Sequence, residues 1–253
     1  MQAEERQRRV GDYLQKVEFA SLDELSELVD ASTSTVRRDL TLLEGKGLVR
    51  RTHGGARLVN PRSDEFNFTT RDMLQLGEKE MIGRAVAGLI EPNLTVIIDA
   101  GTTCFHAAKH LEGKLPYVVT NSLPVANLFA SANKLEVLVS GGVIYPRLEV
   151  LVGPLAVEAF SKIHADVAIM SAGGITLDGV TNSHGLLIEI QRAMIRAAHR
   201  VIFCLDHTKF GRRSVSPLCG LEAIDTLVTD AQAPPELVQG LQERGVKVVV
   251  GGA

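Results

Sequence analysis

The chain opens with three blocks in which apolar residues recur at spacings of three and four, the period of an amphipathic helix. The first runs from Glu4 to about Val17 and places Val10, Tyr13, Leu14 and Val17 on one side. The second, Ser21 to Val29, carries Leu22, Leu25, Leu28 and Val29, with Ser21 and Glu24 spaced as a capping box. The third, Ala31 to Glu44, has Ser32 as its N-cap and lines up Val36, Leu40 and Leu43. At about 100° per residue, Ser34, Arg38 and Thr41 face the opposite way, flanked by Arg37. About three residues separate the second and third blocks, the spacing of a helix-turn-helix. Gly45-Lys46-Gly47 is expected to stop the third helix through a left-handed cap. Leu48 to Val59 then reads as two short strands around a Gly54-Gly55 turn. Three helices and a hairpin predict an N-terminal winged helix-turn-helix.

From Glu78 the period changes. Aliphatic runs at Thr95–Asp99, Tyr117–Thr120, Glu136–Ser140, Asp166–Ser171, Arg200–Leu205, Thr226–Thr229 and Val246–Val250 read as strands. Between them Glu78–Ile90, Thr103–Leu111, Leu123–Ser131, Gly153–Ile163, Leu186–His199 and Pro235–Arg244 read as helices. Such alternation predicts an α/β domain with a largely parallel sheet covered on both faces. Asn60 to Thr70 breaks the periodicity and contains Pro61. The expected organisation is therefore residues 1–59, a linker over 60–77, and the α/β domain over 78–253. Phe66 and Phe68 alternate with polar residues and are expected to dock the linker on the second domain.

Composition alters this picture in three places. Hydrophobic residues make up 45% of the 253 positions, while aromatics are 4% and tryptophan is absent, so the core is aliphatic. No apolar run reaches the length of a membrane span, and the polar start Met1 to Arg9 is no signal peptide. Three widely spaced cysteines, Cys104, Cys204 and Cys219, fit a reducing cytoplasm. The net charge of −3 argues against nucleic acid, but its distribution does not. Between Arg37 and Arg57 six basic residues stand against two acids, a local patch able to grip phosphates. Hydroxyls and guanidiniums on one helix face suit the edges of bases in a major groove. The expected DNA contacts are Ser32, Thr33, Ser34, Thr35, Arg37, Arg38 and Thr41 from the third helix. Arg50, Arg51, His53 and Arg57 join them from the hairpin.

In the second domain, small polar residues gather where strands end, and ligands of open α/β sheets bind beyond those ends. Asp99-Ala-Gly-Thr-Thr103 runs from a strand into a helix and offers a phosphate cradle. Thr120-Asn-Ser122, Ser140-Gly-Gly142, the glycine-rich stretch from Ser171 to Gly185, and Asp206-His-Thr-Lys-Phe-Gly211 end other strands. Together they suggest a small, polar, anionic ligand. His106 and His110 have a metal-compatible spacing but no evident third ligand, so no metal is expected. Cys104 stands at a helix start, where its pKa could fall, or serves as a small buried hydrophobe. His184 either touches ligand or flanks a glycine turn.

The run Ser32-Thr-Ser-Thr-Val-Arg-Arg-Asp-Leu40, followed by Arg51-Thr-His-Gly-Gly-Ala56, resembles the N-terminal signature of the DeoR family of bacterial repressors. Asp99-Ala-Gly-Thr-Thr103, Thr120-Asn121, Gly141-Gly142 and Asp206 to Gly211 resemble that family's sugar-phosphate sensor domain, similar in fold to ribose-5-phosphate isomerase. The resemblance implies that Gly101, Thr102 and Thr103 bind phosphate, Asp99 and Asn121 sugar hydroxyls, and Lys209 the anion, with Gly141, Gly142 and Glu189 also at the site. It implies a repressor of a carbohydrate operon that binds double-stranded operator DNA as a homo-oligomer and answers to a phosphorylated sugar, without a cofactor. Two other readings stay open: a sugar-phosphate isomerase with an appended DNA-binding domain, and a DNA-binding scaffold with an empty pocket. Isomerisation needs a base and an electrophile. Thr181 to Gly185 lacks the lysine that the isomerases carry there, leaving Asp178 and Glu189 as acids.

Overall fold

The computed structural model describes residues 2–14, 17, 19–46, 48–52, 54–58, 67–130 and 135–252. They form two compact units, Met1–Leu74 and Gln75–Ala253. The first contains α1 (Ala3–Leu14), β1 (Ala20–Ser21), α2 (Leu22–Val29), α3 (Thr33–Gly45), β2 (Val49–Thr52), β3 (Gly55–Leu58) and α4 (Phe68–Met73). Its core is aliphatic: Val10 and Leu14 of α1, Leu25 and Val29 of α2, and Val36, Leu40 and Leu43 of α3 are all buried. Both α2 and α3 start at the expected caps. Ser21 and Glu24 form both halves of the capping box on α2, and Ser32 accepts the Thr35 N–H at 3.3 Å on α3.

Two local expectations change. Gly45 is the last residue of α3 and has no positive φ; the cap falls on right-handed Lys46, and Leu48 N–H reaches back to Leu43 C=O. Gly47 lies outside the described residues. The hairpin is also not alone, because β1 adds a third strand with Ala20 opposite Ala56 and Ser21 opposite Gly55. That pairing explains Gly55, since a Cβ there would overlap the Ala20 carbonyl oxygen. The stretch read as a linker contains α4, which Asn67 caps by accepting the Thr70 N–H at 2.8 Å. Thr70 Oγ1 in turn donates to Lys46 C=O at 2.7 Å, tying α4 to the end of α3. Phe68 is buried as the first residue of this helix, in the first unit; Phe66 lies outside the described residues.

The second unit runs α5 (Leu76–Gly88), β4 (Thr95–Ile98), α6 (Thr102–Lys109), β5 (Tyr117–Thr120), α7 (Leu123–Phe129), β6 (Glu136–Val139), β7 (Val143–Tyr145) and β8 (Val150–Val152). It continues with α8 (Pro154–Ser161), β9 (Ala165–Met170), β10 (Gly174–Thr176), β11 (Gly179–Asn182), α9 (Gly185–Ala197) and β12 (Ala198–Cys204). Last come β13 (Ser216–Cys219), β14 (Thr226–Thr229), α10 (Pro235–Glu243) and β15 (Lys247–Val250). Seven strands form one parallel sheet in the order β15-β14-β12-β9-β4-β5-β6. They are the seven aliphatic runs read from the sequence. Val96, Ile98, Val167 and Ile169 join one core, and Ile97, Ala168 and Met170 the other, as residues alternating across a sheet must. Among the described residues no helix is long and apolar enough to cross a membrane.

The strand order fixes where a ligand can sit. From β4 the chain winds outward through β5 to β6; from β9 it winds the other way through β12 and β14 to β15. The loops leaving β4 and β9 therefore part over a crevice, the switch point at which open α/β sheets bind ligands.

Candidate functional site

On α3, Ser32, Thr33, Ser34, Arg37, Arg38 and Thr41 are exposed and Thr35 partly so. Ser32 Oγ lies 2.9 Å from both Ser34 Oγ and Thr35 Oγ1, making a hydroxyl cluster at the helix start. Among the described residues the guanidiniums of Arg37 and Arg38 make no hydrogen bond or ion pair. Their neighbour Asp39 faces inward and is buried, with Oδ1 accepting from Gln7 Nε2 at 3.1 Å and from Arg6 Nη2 at 3.2 Å. Consecutive residues thus divide their work: two arginines face solvent while the aspartate braces α3 against α1.

The wing is less free than its sequence suggests. Arg50 is exposed, but Arg51 Nε donates to Glu44 Oε2 at 2.6 Å and Arg51 Nη1 to Thr41 Oγ1 at 2.8 Å. Glu44 also accepts the Arg51 N–H at 2.9 Å, so this residue clasps β2 to α3. His53 and the side chain of Arg57 lie outside the described residues.

At the switch point in the second unit, Asp99 is buried at the end of β4. Its Oδ2 accepts from Ser171 N–H and Ser171 Oγ, each at 3.1 Å, and from Gln191 Nε2 at 2.8 Å. Burial pushes the Asp99 pKa up, partly offset by those hydrogen bonds from Gln191 and Ser171. Gln191 also accepts from Asn182 Nδ2 at 2.8 Å, joining β11 to the same network. Gly101 is the N-cap of α6 and supplies no side chain, so no side-chain cap engages the first-turn N–H groups of this helix. No larger residue fits: a Cβ on Gly101 would overlap Ser171 Oγ. Thr102 and Thr103 follow, both largely buried.

One strand over, Asn121 Nδ2 donates to Leu151 C=O at 3.1 Å, while its buried Oδ1 has no partner among the described residues. An orphaned buried acceptor is costly unless a ligand or solvent donates to it. Gly141 and Gly142 turn the chain after β6 with φ of +69° and +113°, and a Cβ on Gly142 would meet Val152 C=O at 2.5 Å. At the end of β12, Asp206 is buried and is held by Thr208 N–H at 3.0 Å and by Thr208 Oγ1. Burial raises its pKa, but Lys209, Lys79 and Thr208 outweigh that and hold it below the usual value. Lys79 is itself buried, on α5.

Glu189 stands apart from this set. It is exposed on α9 and holds Arg192 at 2.9 Å. Gln191, two residues on and so about 200° round the helix, faces Asp99 instead. Sequence reasoning does not reach Gln191 or Lys79, and includes Ser171 only as the start of a glycine-rich strand end; helical phase relative to Leu187 and Ile188 is the one signal that points to Gln191. His184 occupies the N-cap position of α9 without a side-chain cap bond, its ring centroid 6.2 Å from that of Tyr145. His106 and His110 are both engaged by Glu80, at 2.7 and 2.9 Å, and the described residues hold no group of three metal-binding side chains. Cys104 is fully buried with its sulfur 3.5 Å from that of Cys204; burial and Cys204 push its pKa well up, the reverse of activation. Cys219 is partly buried, and burial raises its pKa to about 12.

Since the Asp206 pKa is depressed, its carboxylate stabilises the fold above the unfolded value, and this is lost as pH falls through the folded one. Lys79→Met removes one of the two cations that hold it down. Acid unfolding followed by circular dichroism should then begin at higher pH than in the wild type. An unchanged acid midpoint would mean that Lys79 does not act on Asp206.

Residues 6–62 match the DeoR-like helix-turn-helix domain, and residues 74–231 match the DeoR C terminal sensor domain. The HTH-type transcriptional regulator GolR of Listeria innocua is 33% identical over 97% of this chain and 98% of its own. The HTH-type transcriptional repressor GlcR of Bacillus subtilis is 32% identical over 99% and 97%. Among solved structures, ribose 5 phosphate isomerase A from Neisseria gonorrhoeae overlaps 58% of this chain and 56% of its own, at 19% identity and a TM-score of 0.37.

Proposed function

Since this chain belongs to the DeoR family of transcriptional regulators, we propose that it represses a carbohydrate operon and is released by a phosphorylated sugar. Its N-terminal unit holds operator DNA through α3 and the wing, with Ser32 to Thr35, Arg37, Arg38 and Arg50 at the duplex. A two-fold operator calls for at least a dimer. The phosphoryl group sits on the uncapped start of α6, at Gly101, Thr102 and Thr103, with Lys209 and Lys79 supplying positive charge. Asn121 Oδ1 and Asp99 accept from sugar hydroxyls. The carrying observation is the switch-point crevice, where a bare helix start and an orphaned acceptor lie at neighbouring strand ends.

Repression is relieved only if the sugar binds the DNA-incompetent arrangement more tightly, by a typical coupling of about 1–3 kcal/mol. A thermal-shift series tests this with phosphorylated sugars, the same sugars without phosphate, and inorganic phosphate. At least one phosphorylated sugar should raise Tm by mass action where its parent sugar does not. If none shifts Tm or operator affinity, the sensor reading is wrong.

A further inference from the structure

The outward face of α3 carries one large apolar side chain. Leu42 is 54% exposed in a helix whose other leucines are buried. It lies one turn beyond Arg38 and two turns beyond Thr35. At about 100° per residue it is rotated only about 40° from Arg38, and about 160° from buried Leu40. The clasp of Arg51 with Thr41 and Glu44 occupies the other flank, so the described residues of the wing do not cover Leu42.

We infer that Leu42 reads the methyl group of a thymine in the major groove, an inference resting on the reading that α3 enters that groove. The C5 methyl of thymine is the apolar group that base edges present there, and aliphatic side chains recognise it by contact. One helical turn advances about 5.4 Å and one base pair about 3.4 Å, so the thymine lies one or two base pairs from the base facing Arg38. Leu42 thus adds a selective contact to a face otherwise made of hydroxyls and guanidiniums. Each methyl-sized burial is worth about 0.8 kcal/mol, or roughly fourfold in affinity per half-site.

The test uses the full-length protein and a duplex selected by it from a randomised pool. Each thymine of the selected site is replaced in turn by deoxyuridine, which removes only the methyl group, and binding is measured for wild type and for Leu42→Ala. Alanine is an equally good helix former, so Tm should not fall. One thymine per half-site should lose about fourfold on replacement with wild type and nothing with Leu42→Ala. If every replacement affects the two proteins alike, the inference is wrong. It is also wrong if Leu42→Ala changes the sedimentation of the free protein, which would give Leu42 to a protein contact. Arg38→Ala in the same assay separates the two levels. Wild-type binding by that variant would remove the groove reading itself, whereas weakened binding without a methyl effect would remove only the role of Leu42.

Discussion

Arg38→Ala should lose specific operator binding while the protein stays folded. The guanidinium is exposed and makes no intramolecular bond among the described residues, so nothing in the described fold depends on it. A forked contact to a guanine edge is worth about 1–3 kcal/mol, and a two-fold site forfeits it twice. The combined penalty of about 2–6 kcal/mol is at least roughly thirtyfold in affinity. Fluorescence anisotropy on specific and scrambled duplexes measures it, and the weakening should fall on the specific one. Arg37→Ala is expected to differ if that side chain holds phosphate. Binding then weakens on both duplexes, and the slope of log affinity against log salt shrinks by about 0.9 for each phosphate left without its arginine. Equal affinity of Arg38→Ala and wild type for the operator would take recognition away from α3.

The second large effect is expected in the sensor unit. Thr102→Ala combined with Lys209→Ala should leave operator affinity unchanged without sugar phosphate and abolish release in its presence. Wild type should lose between about fivefold and about 150-fold in operator affinity at saturating effector, the usual range of such coupling. The double variant should lose none, because the helix start lacks a hydroxyl and the strand end lacks its ammonium. Thermal shift on the same protein gives an independent reading: the Tm rise with effector should disappear as well. Release at wild-type effector concentrations would place the anion elsewhere.

The strands of the large sheet are legible because each writes an aliphatic run, largely buried in the central β4, β9 and β14. β7, β8, β10, β11 and β13 are not, since they lie among glycines and prolines and are not set off by intervening helical periods. The same contrast governs the site. Asp99, Gly101 and Asn121 announce themselves because strand ends are marked in the sequence. Ser171 and Gln191 reach Asp99 only through tertiary packing, from 72 and 92 residues away. Glu189, brought in only by the resemblance to the family, lies exposed on α9 beside Arg192, a position that helical phase and not residue type decides. In the first unit, Arg51 reads as a free wing cation, yet its partners Glu44 and Thr41 become neighbours only once β2 folds back on α3.

The sulfur contact between Cys104 and Cys204, with Cys219 held protonated, gives the folded sensor unit an unusual chemical silence. Thiolates are what alkylating reagents attack, and here two thiols are sealed while the third titrates far above neutrality. Labelling of buried Cys104 and Cys204 at neutral pH therefore counts moments when the core around them opens. The chain carries its own clock for breathing, and a ligand that steadies the crevice between β4 and β9 would slow it.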